Sequence, residues 1–326
     1  MIVTQTPLRI SFAGGGTDFP EFYRQEPGAV LSAAIDKFVY VVVKARFDRR
    51  IRVAYSRTET VEDPAEIEHD LVREAVRMAG LAGGFEVCTL ADIPAEGSGL
   101  GSSASLTVGL LNAFHAFAGR PQSAEVVSRQ ACQIEIDILG RPIGKQDQYI
   151  AAYGGLNVFR FLPNDEVAVN PLSLSESRRR SLEESLLLFF TGRTRRADSI
   201  LSAQRANIEA TRPFLRQMRD LTTELHTCLL NGFGDEFGRL MHRGWQCKRQ
   251  LAPGISDPYL DQLYDRALAA GATGGKISGA GGGGFLLLHC PPHRRDSVRA
   301  ALADLTEMPF RLFREGSKIL LNTGPR

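Results

Sequence analysis

The chain comprises 326 residues, 43% of them hydrophobic and 23% charged, with a formal net charge of +2 at neutral pH. That is material for two cores, and the near-even charge balance calls for neither nucleic acid nor an acidic membrane surface as a partner. Apolar runs are too short to span a bilayer, and the five scattered cysteines and six histidines show no CxxC or metal-ligand spacing. A cytoplasmic chain with reduced thiols, no zinc site and no histidine chemistry is therefore expected.

The first half opens strand-rich, with alternating or apolar runs near Leu8 to Ala13, Phe38 to Ala45, Ile51 to Tyr55 and Phe85 to Leu90. In PLRISFAGGGTDF, Pro7 to Phe19, a strand delivers Arg9, a triple-glycine turn reverses the chain, and Asp18 emerges just past it. Bare backbone at such a turn lets a ligand lie close, and a carboxylate there can accept hydrogen bonds from sugar hydroxyls. A tight hairpin whose turn is stabilised by Asp accounts for the same residues.

Further on, GSGLGSSAS from Gly97 to Ser105 precedes Leu106, Leu110, Leu111, Phe114 and Phe117 at helical spacing. A glycine loop feeding a helix N-terminus can wrap a polyphosphate with backbone N–H groups, helped by the positive end of the helix dipole. Ser102 and Ser103 add hydroxyls for phosphate or Mg²⁺. The competing reading is an ordinary Ser-capped helix after a glycine-rich turn.

The next helix is expected over Glu125 to Leu139, with Val127, Ala131, Ile134 and Ile138 on one stripe, stopping at Gly140 and Pro142. Its end carries Glu135, and the exit loop GRPIGKQDQY carries Asp147 back toward the same end. Two carboxylates that meet there would suit Mg²⁺ binding and proton acceptance from an alcohol. Taken singly, Glu135 reads as a solvated helix residue and Asp147 as a turn or cap residue. Lys145 either lowers the proton affinity of Asp147 or points to solvent.

A strand at Leu156 to Phe161 is followed by a lapse of periodicity over Leu162 to Pro171, which sets the expected domains at 1–165 and 166–326. The second half offers a strand at Leu186 to Thr191, about four helical segments from Ala197 to Ala270, a strand Phe285 to Cys290, a helix near Arg295 to Leu305 and two closing strands. In HRGWQCKRQL, Trp245 reads as core, and Lys248 either packs with it or reaches a ligand. The stretch GGKISGAGGGGFLLL from Gly274 formally contains GxGxxG, yet a strand follows it and no helix, so a dinucleotide-binding reading fails. No Walker A pattern is present either. Helices and strands mixed without regular βαβ alternation favour two α+β domains.

With these segments in order, the chain resembles the superfamily of galacto-, homoserine, mevalonate and phosphomevalonate (GHMP) kinases. PLRISFAGGGTDF is similar to its first signature motif, PAEGSGLGSSAS to its second and KISGAGGGGFLLL to its third. Within the superfamily, GGGTDF, GKQDQYIAAYGGLN and FFTGRTRRADSIL look like the D-glycero-D-manno-heptose 7-phosphate kinases. The resemblance implies an α+β fold, with an N-terminal domain like domain 2 of ribosomal protein S5, a ferredoxin-like C-terminal domain and a site between them. It implies ATP held by Gly97, Gly99, Leu100, Gly101, Ser102, Ser103 and Ala104, Mg²⁺ held by Ser103 and Glu135, and Asp147 with Arg9 as catalytic residues.

For the acceptor, the resemblance implies Gly15, Gly16, Thr17, Asp18, Gly279, Ala280, Gly281 and Gly282. Arg193, Arg195 and Arg196 are candidates for a phosphate the acceptor already carries, a solvated basic loop being the alternative. Galactokinases carry Glu-His where Gly15 and Gly16 stand, so galactose is disfavoured. The expected reaction is phosphorylation of the anomeric O1 of a sugar phosphate, without nucleic-acid or membrane partners and with a homodimer left open. Alternatives are a kinase of an octose 8-phosphate or of a neutral sugar such as fucose, and a kinase-derived nucleotide-binding regulator. A nicotinamide-dependent oxidoreductase would rest on the formal GxGxxG alone, which a strand follows in place of a helix.

Overall fold

Two β-sheets organise the residues described by the computed structural model, 1–93, 97–194 and 197–323. The first sheet contains β1 (Ile2–Ala13), β2 (Gly28–Ala45), β3 (Ile51–Ala54), β4 (Thr58–Val61), β5 (Phe85–Ala91), β6 (Leu156–Phe161), β7 (Val167–Pro171) and the chain's last strand, β12 (Lys318–Asn322). Strand β2 is its spine: β1 pairs along most of its length, β6 along its first half and β5 along its second. The apolar run at the start of β2 is buried on both faces, whereas Lys44 and Ala45 at its far end are exposed.

The second sheet holds β8 (Leu186–Phe190), β9 (Gly274–Ile277), β10 (Phe285–His289) and β11 (Thr306–Glu307). Its spatial order is β11, β8, β10, β9, all antiparallel, which is fourth, first, third, second in chain order. This is the ferredoxin-like arrangement expected of the second half.

Helices in the first half are α1 (Pro20–Tyr23), α2 (Asp70–Met78), α3 (Ser102–Phe117), α4 (Ala124–Cys132) and α5 (Gln146–Tyr153), with a π-helical segment, Gln133–Ile138, continuing α4. In the second half are α6 (Glu176–Ser185), α7 (Ala197–Ala206), α8 (Ile208–Asn231), α9 (Asp235–Arg249), α10 (Pro258–Ala269) and α11 (Arg295–Ala301). Helix α3 is buried nearly all round, which is why its sequence is apolar on most faces and not on a single stripe. One apolar core straddles the two sheets, joining Leu8, Ile10 and Phe12 of β1 to Phe237 and Met241 of α9 and to Phe285 and Leu287 of β10. The Phe12 and Phe237 rings meet edge to face at 5.3 Å between centroids.

Three expectations about chain organisation change. The division at 165/166 falls inside the β6–β7 hairpin, whose strands pair from Asn157↔Pro171 to Phe161↔Val167. We propose instead a division after Pro171. The two closing strands do not stay together: β11 joins the second sheet, while β12 returns to pair with β1 of the first. The helix read over Glu125 to Leu139 changes character after Cys132, with consequences for the site. No helix among the described residues is long and apolar enough to cross a membrane.

The core also contains a titratable ring. His289 on β10 is buried, its Nδ1 lies 2.7 Å from Thr273 Oγ1, and its Nε2 has no partner among the described residues. Burial pulls its pKa down to about 4. An unfolded histidine titrates near ~6.5, so between that pH and about 4 the unfolded chain takes up a proton that the folded one refuses. Stability should therefore be lost as pH falls through this window, by up to about 3 kcal/mol from this residue. His289→Gln should flatten the slope of urea-unfolding free energy measured between pH 7 and 4, and an unchanged slope would assign the acid loss to other groups.

Candidate active site

A cleft of about 200 Å³ lies where the two sheets meet, lined by Arg9 and Ser11 of β1, the glycine loops and the start of α3. Roomier hollows of about 560 and 630 Å³ elsewhere have no glycine loop at a helix N-terminus. Gly97, Gly99 and Gly101 all take φ near +70 to +80°, alternating with Ser98 and Leu100. Such alternation curls the backbone into an anion-binding concavity and needs residues without Cβ. Helix α3 starts immediately after it, and the first N–H to pair inside the helix is that of Ser105, which donates to Gly101 O. The N–H groups of Ser102, Ser103 and Ala104, all lining the cleft, therefore have no intrahelical acceptor.

Arg9 is the junction of the site. Its Nε and Nη2 donate to Asp147 Oδ1 and Oδ2 at 2.7 and 2.6 Å, and its Nη1 donates to Gly99 O at 2.6 Å. Its own N–H donates to Leu100 O. One side chain thus fastens the cradle to the carboxylate at the start of α5. The guanidinium is 5% exposed and the carboxylate 25%, so the pair faces the cleft from its Asp147 side.

The second carboxylate group is Glu135. In an uninterrupted α-helix the stripe through Ile134 would bury Ile138 and leave Glu135 outside. The π-helical segment, in which Leu139 N–H donates to Ile134 O, shifts the register, so that Glu135 is fully buried and Ile138 is 48% exposed. Ser103 Oγ donates to Glu135 Oε2 at 2.7 Å and Gln148 Nε2 to Oε1 at 3.0 Å. Burial raises the Glu135 pKa, against the hydrogen bond from Ser103 and the charge of Arg141. Arg141 donates from Nη1 to Ser103 Oγ at 2.6 Å and from Nη2 to Asp70 at 3.0 Å. No cluster of three or more metal-ligating side chains occurs among the described residues. A hydroxyl and one buried carboxylate are nonetheless a donor set that suits Mg²⁺, which is commonly held by one or two carboxylates together with phosphate oxygens. Glu135 and Asp147 are held by different partners, Ser103 and Gln148 for the one and Arg9 for the other.

Asp18 is buried beside the same junction. Its Oδ1 accepts from Gly16 N–H at 2.9 Å, and its Oδ2 accepts from the N–H and Nε2 of Gln146 at 3.2 Å each. Burial raises its pKa and the two backbone donors oppose that. Gly15, Gly16, Gly279, Ala280 and Gly281 line the cleft with it.

Other expected site residues are placed differently. Thr17 is a structural pin, fully buried with its hydroxyl donating to Gly14 O and Ala29 O. Leu100 is buried and contributes only backbone, and Gly282 spends its N–H on Ile255 O. Arg193 pairs with Asp257 at 3.2 Å, stacks 3.9 Å from the Tyr259 ring centroid and is not among the lining residues. Arg195 and Arg196 lie outside the described residues. Lys145 does not reach Asp147; its Nζ binds Asp165 and sits over the Tyr23 ring. Trp245 is core as expected, while Lys248 three residues on enters the cleft. Sequence reasoning missed Arg141, Gln146 and Gln148, although all three flank the carboxylates already singled out.

The signature of the GHMP kinases N terminal domain matches residues 69–155, and that of the GHMP kinases C terminal region matches residues 225–306. The chain is 30% identical over 318 residues to a D-glycero-alpha-D-manno-heptose 7-phosphate kinase of Campylobacter jejuni, covering 92% of this chain and 93% of that protein. A solved D-glycero-D-manno-heptose 1-phosphate kinase from Bacteriodes thetaiotaomicron superposes with a TM-score of 0.83 at 30% identity, covering 99% of this chain and all of that one. A Lactococcus lactis galactokinase complexed with galactose shares the fold, with a TM-score of 0.77 at 18% identity over 97% of this chain and 94% of that one.

Gly144 tests the place of Asp18. A Cβ there would lie 2.0 Å from Asp18 Oδ2, so Gly144→Ala must displace that carboxylate from Gln146. The expected result is a rise of about tenfold or more in acceptor KM, since misplacement of about 1 Å is costly at a binding centre, with nucleotide affinity retained. An unchanged acceptor KM would remove Asp18 from the acceptor's side of the cleft.

Proposed function

This chain belongs to the GHMP kinases, which are ATP-dependent phosphotransferases, and from that premise we propose that it phosphorylates the anomeric O1 hydroxyl of a sugar phosphate. The acceptor best supported is D-glycero-D-manno-heptose 7-phosphate, giving the 1,7-bisphosphate. The observation that carries the chemistry is the Arg9–Asp147 fork at the edge of the glycine cradle, with Asp18 beside it. The acceptor is supported by similarity over nearly the whole chain to the Campylobacter jejuni enzyme. Gly15 and Gly16 in place of a Glu-His pair weigh against galactose.

Phosphoryl transfer asks a protein for alignment and charge neutralisation more than for covalent chemistry. The backbone N–H groups of the cradle and of Ser102, Ser103 and Ala104 bind the phosphates of ATP. Ser103 Oγ and Glu135 would hold Mg²⁺, which neutralises phosphate charge when bound. Asp18 accepts a sugar hydroxyl and so fixes the ring. Asp147 takes the O1 proton as the bond from O1 to the γ-phosphorus forms and the bond to the ADP oxygen breaks. Each Asp147 oxygen accepts one hydrogen bond from Arg9, which leaves lone pairs for that proton. Arg9 stabilises the negative charge that develops on the attacking and transferring oxygens.

The deciding assay supplies purified protein with ATP and Mg²⁺ and compares heptose 7-phosphate, heptose 1-phosphate, an octose 8-phosphate, fucose, galactose and mevalonate. Heptose 7-phosphate should give the highest kcat/KM, with a new anomeric phosphate in the ³¹P spectrum. Preference for a neutral sugar would sink the sugar-phosphate assignment, and nucleotide binding without turnover would favour a regulator. In the same assay Asp147→Asn should lower kcat by about 10²- to 10⁴-fold, the range of a positioned general base, while ATP binding measured by calorimetry stays nearly unchanged. Wild-type turnover by the variant would take Asp147 out of the proton transfer.

A further inference from the structure

Two ammonium groups in the cleft have no part in the reaction just described. Lys248 of α9 and Lys276 of β9 both line the cleft and are 4% and 5% exposed. Lys248 Nζ donates to Gln204 Oε1 at 3.0 Å, and Lys276 Nζ to Ser11 Oγ at 3.2 Å. Among the described residues, neither has a carboxylate at ion-pairing distance. A buried ammonium without a counter-ion is costly, and two facing one cleft are costlier still.

Burial pulls Lys248 down to about 8, against the attraction of Asp18. Lys276 is pulled down to about 7 by burial, with Lys248 and Arg9 adding repulsion. More unmet polar groups stand beside them. Among the described residues, Ser278 Oγ, two residues after Lys276, lines the cleft without a partner, and Gln204 Nε2, buried behind Lys248, also has none.

Their position matters as much as their charge. Ser11 lies two residues beyond Arg9, about 7 Å further along β1 toward the glycine turn. Gln204 packs against Gly16 of that turn. The lysines therefore stand beside the Arg9–Asp147 fork on the side of the glycine turn and Asp18.

Resting on the sugar-phosphate reading above, we propose that Lys248 and Lys276 receive the phosphate that the acceptor already carries, and so select a sugar phosphate over a neutral sugar. A phosphate dianion supplies both missing counter-charges and an acceptor for the Ser278 hydroxyl, whereas a sugar hydroxyl can neutralise neither ammonium. This role passes from Arg193, whose guanidinium is already engaged by Asp257 and Tyr259.

The test is calorimetry on protein saturated with AMP-PNP and Mg²⁺, titrated with heptose 7-phosphate and with the same heptose lacking phosphate. Wild type should bind the phosphorylated sugar about 100-fold more tightly, a fold-change within reach of buried charge-assisted contacts. Lys248→Met and Lys276→Met should each cut that ratio about tenfold or more while the affinity for the neutral heptose barely moves. Lys→Gln variants, which keep a donor for Gln204 or Ser11, cover the case of a Met variant that fails to fold. A wild-type preference that persists in the variants overturns the lysine assignment alone. Equal weakening of both ligands overturns it too, since the lysines would then shape the cleft in general. A wild type without preference overturns the sugar-phosphate reading, and the lysine assignment with it.

Discussion

A single arginine side chain holds the working parts of this site in register. Arg9 extends from β1, takes both oxygens of Asp147 at the start of α5, and donates from its third nitrogen to Gly99 O. A planar guanidinium imposes direction as well as charge, so the carboxylate and the cradle keep a set separation and orientation. Lysine could neutralise Asp147 but could not grip it in a fork while also holding the loop. The arrangement is costly if incomplete: removing one member of a largely buried pair typically costs about 3 to 5 kcal/mol because the other is left uncompensated. The site's geometry is thus tied to folding of the first sheet.

The π-helical segment after α4 solves a related problem on the other side of the cradle. A carboxylate must be delivered to Ser103 from a helix whose apolar stripe is committed to the core. One extra residue per turn rotates the face, so Ile134 stays buried, Glu135 turns inward and Ile138 swings out. The exposed isoleucine is the visible cost of that rotation. Arg141, beyond the helix end, then completes a network with Ser103, Glu135 and Asp70. Its position follows from the exit loop returning over the start of α2.

What could be read from the sequence follows from what is local. Glycine turns and apolar periodicity announced the cradle, helix α3, the strands around Arg9 and the alternation of the second half, because each signal sits within a short window. The Glu135 register was hidden because a π-turn leaves no mark in a helical pattern. Lys248 was ambiguous for a related reason: it shares a helix with Trp245 but lies on the part of it that reaches the cleft. The return of β12 to the first sheet is a pairing across more than 300 residues, Ile2 with Asn322, which no local pattern encodes. The expected boundary near 165 falls in a hairpin because the turn residues of a hairpin look like a linker.

The glycine cluster after β9 shows how the two halves are held at the distance the chemistry needs. These residues let backbone approach backbone across the boundary between the sheets: a Cβ on Gly279 would lie 2.7 Å from Gly99 Cα, and one on Gly284 would lie 2.5 Å from Ser98 O. Cradle and cluster therefore interlock through bare peptide groups, with no long side chain acting as a spacer between them. Lys276 and Ser278 enter from the same stretch of chain, so their reach toward Arg9 and Asp147 is set by main-chain contact and not by flexible side-chain packing. Sequence reasoning treated the cluster as a ligand contact in its own right. Its larger effect is to bring the second sheet's polar groups up to the Arg9–Asp147 pair, which comes wholly from the first half of the chain.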